Sequence, residues 1–92
     1  MTPVVFRMWA DTGEVVALFP TLPANIERDC SSYMHIGQHG AAQYDFVIKT
    51  TKPASDYAAL YSELTEVGYD DLKVYSRAQP WMHEARKSSP LV

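Results

Sequence analysis

The sequence predicts an α+β fold: a single antiparallel sheet of about four strands with one main helix packed on one face, in the order β-β-β-(α)-α-β. Three observations predict it. Two runs rich in β-branched and aromatic residues flank a turn that ends in glycine. An apolar stripe at helical spacing follows Pro53. A strictly alternating segment then closes the pattern at residues 72–77.

The first hairpin joins residues 4–9 (Val-Val-Phe-Arg-Met-Trp) to residues 14–19 (Glu-Val-Val-Ala-Leu-Phe). Between them, Asp11 and Thr12 suit a type I turn, and Gly13 takes the left-handed position that closes it. Val4, Phe6 and Met8 form the core-facing set, and Arg7 and Glu14 mark the solvent side. Pro20 and Pro23 are expected to end the second strand, leaving residues 20–30 as a loop. Residues 31–36 read as a third strand, and Gly37 and Gly40 bracket a tight loop. Tyr44, Val47 and Ile48 fit helical spacing, so a short helix is expected within 41–50.

The main helix carries Tyr57, Leu60, Tyr61, Leu64 and Val67 on one face. Ser55 is its expected N-cap, and Gly68 its left-handed C′ residue. Residues 72–77 alternate, with Leu72, Val74 and Ser76 on one side and Lys73, Tyr75 and Arg77 on the other. Residues 1–79 are thus expected to form one α+β domain, and 80–92 a partly flexible C-terminal tail. Trp81 and Met82 stand out in that tail. Two such side chains are expected to pack back onto the sheet or to meet a partner.

With 47% apolar and 21% charged residues, the 92-residue chain is not disordered throughout. Its net charge of −3 is far from the basic balance that nucleic acid demands and too weak for DNA mimicry, so no nucleic-acid partner is expected. The charge is unevenly spread. Asp56, Glu63, Glu66, Asp70 and Asp71 fall in a segment without Lys or Arg, whereas Lys73, Arg77, Arg86 and Lys87 follow against Glu84 alone. One cysteine, Cys30, makes no internal disulfide and fits a reducing compartment. No basic segment precedes an apolar run at the N-terminus, and no stretch approaches 18 apolar residues. The expectation is a cytoplasmic protein without a membrane partner.

The densest polar cluster is Cys30 to Gly40, which holds the only cysteine and two of the three histidines. Cys30, His35 and His39 are weak metal-ligand candidates, because the C-x4-H-x3-H spacing matches no strong zinc signature. On a strand, residues 30 and 35 also point to opposite faces. Cys30 as a nucleophile lacks an orienting third residue. His35 and His39 could divide acid and base roles, but only Lys49 and Lys52 lie near in sequence to hold a phosphate. No phosphate-binding glycine loop, CxxC, HExxH or GxSxG is present, so no cofactor is expected. The six tyrosines suit either a core with hydroxyls at its rim or a binding surface.

Four segments together resemble a known family: Val16-Ala-Leu-Phe-Pro20, Ser32-Tyr-Met-His-Ile-Gly-Gln-His-Gly-Ala41, Thr51-Lys-Pro-Ala54 with Tyr57 and Leu60, and Gly68-Tyr69 before Leu72-Lys-Val74. Their order is similar to that in a family of small uncharacterised proteins of bacteria, phages and other mobile elements. Tyr-x-His-x-Gly-Gln-His-Gly is the most distinctive stretch. The resemblance covers residues 4–77 and implies a bacterial or phage setting, with no activity or catalytic residue to carry over.

The expected function is that of a small non-enzymatic binding or accessory protein acting on a host macromolecule. Its partner would be a protein or a second copy of itself, and its candidate binding loop Tyr33, His35, Gln38 and His39. The alternative is a small histidine-based enzyme or metal-binding protein centred on His35 and His39.

Overall fold

The computed structural model describes residues 1–34 and 38–90. The protein is α+β, with a mostly antiparallel sheet and three helices. Strands β1 (Thr2–Met8), β2 (Val15–Pro23), β3 (Cys30–Met34) and β4 (Gln38–Ala42) run first. Helix α1 (Tyr44–Thr50), strand β5 (Lys52–Pro53), helix α2 (Ala58–Glu66), strand β6 (Leu72–Tyr75) and helix α3 (Pro80–Ser88) follow. The sheet order is β4-β3-β2-β1, after which β5 and β6 share the outer side of β1. Strand β5 pairs with Arg7 and Met8, and β6 runs parallel to Thr2–Val5.

The hairpin forms at the expected turn. Trp9 N–H donates to Glu14 O and Gly13 N–H to Trp9 O, with Gly13 at φ 75°. Strand β2 does not end at Pro20, however; it continues to Pro23 through a register irregularity between Phe19 and Pro23. A bulge relieves the ladder of the N–H groups that proline lacks, which is how two prolines lie within a strand.

Apolar residues cover both faces of the sheet. On one face, Val4, Phe6, Ala17, Phe19 and Tyr33 pack with Leu60 and Leu64 of α2. Tyr57 stacks on Phe6 at 4.3 Å and Tyr69 on Phe19 at 4.8 Å. On the other face, Val5, Val16, Leu18 and Cys30 pack with Tyr44 and Val47 of α1. Helix α3 lies along β2 and buries Met82 and Arg86. The single covering helix expected from the sequence is therefore one of three, and the expected tail contains the third.

Two-sided coverage overturns the placement of Arg7 in solvent: it is 6% exposed. Its side chain closes the C-terminal end of α1, donating from Nη2 to Ile48 O and Thr51 O and from Nε to Thr51 Oγ1. Those carbonyls have no partner within the helix, and a guanidinium fork supplies one.

Helix α2 starts later than expected, with Tyr57 rather than Ser55 at its N-cap. Ala54 N–H still donates to Phe6 O, so the chain is tied to β1 until then. Its end matches the expectation. Gly68 sits at φ 117°, Tyr69 N–H donates to Leu64 O and Gly68 N–H to Thr65 O. This is the paired closure of a Schellman motif. Val67, expected on the apolar stripe, is the C-cap residue and is exposed. Residues 38–42, expected as a glycine loop leading into a helix, form β4, and the helix begins only at Tyr44.

Candidate functional site

The expected binding loop does not form a surface site from all its members. Tyr33 is fully buried under α2, and its hydroxyl donates to Glu63 Oε1 at 2.8 Å. His39 is exposed on β4, its ring edge-on to Tyr33 at 4.7 Å. Gln38 begins β4. His35 lies outside the described residues.

Cys30 lies on the face covered by α1 and α3, whereas His39 stands opposite Tyr33 on the α2 face. The two do not converge. Burial pushes the Cys30 thiol up to about 11, the opposite of what a nucleophile or metal ligand needs. Among the described residues no three His, Cys, Asp or Glu side chains gather as a metal would require.

A cleft lies elsewhere, where the β2–β3 connection, the start of α1 and helix α3 meet. It is an open cleft of about 840 Å³. Its floor is Arg86, 7% exposed. Arg86 Nε donates to Arg28 O at 2.8 Å, and Nη1 donates to Pro20 O at 2.7 Å. One side chain thus fastens α3 both to strand β2, at Pro20, and to the β2–β3 connection, at Arg28.

Arg86 Nη1 also lies 2.9 Å from His83 Nδ1. A guanidinium only donates, so Nδ1 accepts and the ring proton sits on Nε2. His83 is therefore held neutral. Burial lowers its pKa first, and the Arg86 and Lys87 charges lower it further, against opposing pulls from Asp45 and Glu84. The Tyr44 ring meets His83 edge-on at 4.8 Å, and its hydroxyl accepts from Ala78 N–H at 2.7 Å. Tyr44 thereby holds the entry to α3 against α1.

The β2–β3 connection is itself tightly built. Asp29 N–H donates to Asn25 Oδ1, Asn25 Nδ2 donates to Asp29 Oδ2, and Arg28 N–H donates to Asn25 O. This ring of bonds holds Arg28 at φ 64°, an uncommon conformation for a residue with a Cβ. Arg28 Nη1 is buried and has no hydrogen-bond partner among the described residues. Glu27, Asp29, Asp45, Glu84 and Lys87 line the cleft around it. Among the described residues none of these charges forms an ion pair with another; the ion pair present joins the N-terminus to Asp71, at 3.0 Å. Phe46, 63% exposed, adds an apolar edge.

No family model, no curated protein and no solved structure matches the chain.

Sequence reading missed this cleft because its parts come from three distant segments. One local signal was present. Pro80 suits the first position of a helix, and Met82, His83 and Arg86 follow at the spacing of one buried face.

Proposed function

We propose that this is a non-enzymatic binding protein and that the cleft between α1 and α3 receives a segment of a protein partner. The observation that carries the reading is the set of charges around the cleft: four acids and three bases, none of them ion-paired with another among the described residues. Mixed signs suit a protein surface, which offers both, better than a polyanion, which offers one. The open outline, polar and apolar in nearly equal parts, suits a peptide segment better than a small apolar ligand. Phe46 offers that segment an aromatic contact. The setting we propose is the bacterial cytoplasm, with a host macromolecule as the target. A lone buried cysteine suits a reducing compartment, and the resemblance of four segments to small phage and mobile-element proteins motivates the bacterial setting.

The test compares capture from bacterial lysate by three forms of the protein. Wild type and Glu66→Lys, a reversal on the exposed side of α2, should retain the same partner. The double reversal Glu84→Lys/Lys87→Glu should lose it while keeping the same melting temperature. Equal retention by all three forms removes the cleft as the binding site.

A further inference from the structure

The two lateral edges of the sheet are built differently. On the β1 side the edge is divided between β5 and β6, and it carries Lys52, Pro53 and Lys73, all exposed. Short strands, proline and lysine are the usual devices that stop a second chain from adding to a sheet. On the other side, β4 is a five-residue edge strand, Gln-His-Gly-Ala-Ala, with no proline and no Asp, Glu, Lys or Arg. His39, Gly40 and Ala41 are exposed along it. Among the described residues no strand pairs with its outer side, and the strand carries neither proline nor lysine.

Gly40 sharpens the contrast. It is absent from the positive-φ positions, so its backbone conformation does not demand glycine. A Cβ there would meet Ser32 Oγ at 3.4 Å, close to ordinary contact, so internal packing does not demand glycine either. Glycine weakens a strand interior and is found where another backbone comes close.

We propose that β4 pairs antiparallel with β4 of a second copy about a two-fold axis at Gly40, joining the two sheets into one. The strand is self-complementary. With Gly40 opposite its own copy, residue 38 faces 42 and residue 39 faces 41. No facing pair then contains Asp, Glu, Lys or Arg, and each His39 meets an alanine. A second copy fits this edge better than a strand of another protein because the register needs no residue that the chain lacks. The contact is small, which makes the dimer a dissociating one. It lies apart from the α1–α3 cleft and does not depend on it.

Sedimentation of the purified protein from about 1 µM to 1 mM tests the proposal. Wild type should pass from monomer to dimer across that range. Ala41→Lys places one lysine on each side of the dyad, opposite His39 of the other copy, and should weaken the dimer by at least about tenfold, while Lys73→Glu on the opposite edge should leave it unchanged. Cysteine placement checks the register, because facing strand residues lie about 4.5–5.5 Å apart, within disulfide reach. Gly40→Cys should cross-link to itself under mild oxidation. A mixture of His39→Cys and Ala41→Cys should cross-link to each other faster than either does alone. A monomer at every concentration, a dimer indifferent to Ala41→Lys, or cross-links outside this register would each overturn the proposal. Should Ala41→Lys prove unfolded by circular dichroism, the cross-linking result decides.

Discussion

Replacing Arg86 by methionine removes a side chain that ties α3 to strand β2 and to the β2–β3 connection. Two carbonyls, Pro20 O and Arg28 O, lose donors at 2.7 and 2.8 Å. Each bond to a charged donor contributes about 1.5–3 kcal/mol, and each carbonyl left unpaired in a buried place costs about 1–3 kcal/mol. Against this, methionine spares the desolvation of a buried guanidinium that no carboxylate pairs among the described residues. The stem keeps its packing in both forms. The net expectation is a loss of about 2–4 kcal/mol, a large part of the stability of a domain this size. Urea denaturation followed by circular dichroism reads it as a lower midpoint at constant slope. Arg86→Lys keeps the charge but not the fork, and should fall between wild type and Arg86→Met. A change below about 0.5 kcal/mol for Arg86→Met, within the range of ordinary surface substitutions, would refute the tie.

The same physics predicts that Arg7→Met frees the C-terminal carbonyls of α1 and costs about 2–4 kcal/mol, read in the same denaturation assay; an unchanged midpoint would mean that the cap contributes nothing. Gly68→Ala meets nothing within 4 Å, so its cost is the left-handed backbone alone, about 1–2 kcal/mol, and should show as a lower melting temperature. His83 has its folded pKa lowered by burial and by Arg86, so the unfolded chain binds the proton more readily. Its stabilising contribution is complete above the ordinary histidine pKa and is lost as pH falls through the lowered folded value. Melting temperatures of His83→Gln should therefore fall less steeply than those of wild type from pH 7.5 to pH 5. At pH 8, a Cys30 thiol at about 11 is thiolate in only about one molecule in a thousand, so thiol reagents should label it slowly until urea opens the fold. Rapid labelling of the native protein would contradict its burial.

Local chemistry made several elements readable in advance. Gly13 and Gly68 sit at positive φ where the turn and the helix end require it. Leu60 and Leu64 face the sheet as their spacing dictates. Each of these features depends on residues within one or two turns of one another, and short-range sterics and periodicity suffice to place them.

The remainder depended on what lies above and below the sheet. Arg7 alternates with apolar neighbours and reads as a solvent residue, yet α1 covers that face and gives its fork three acceptors. Pro20 reads as a strand end, yet it lies within β2 and its carbonyl receives Arg86, 66 residues away. The cleft joins Arg28, Tyr44, His83 and Arg86, none of which signals the others along the chain. A sequence carries the periodicity that buries a face, but it holds no record of which distant polar group will meet a given carbonyl. Only packing of both helical layers onto one sheet brings those groups within hydrogen-bonding distance, and in doing so it turns an expected tail into the wall of a cleft.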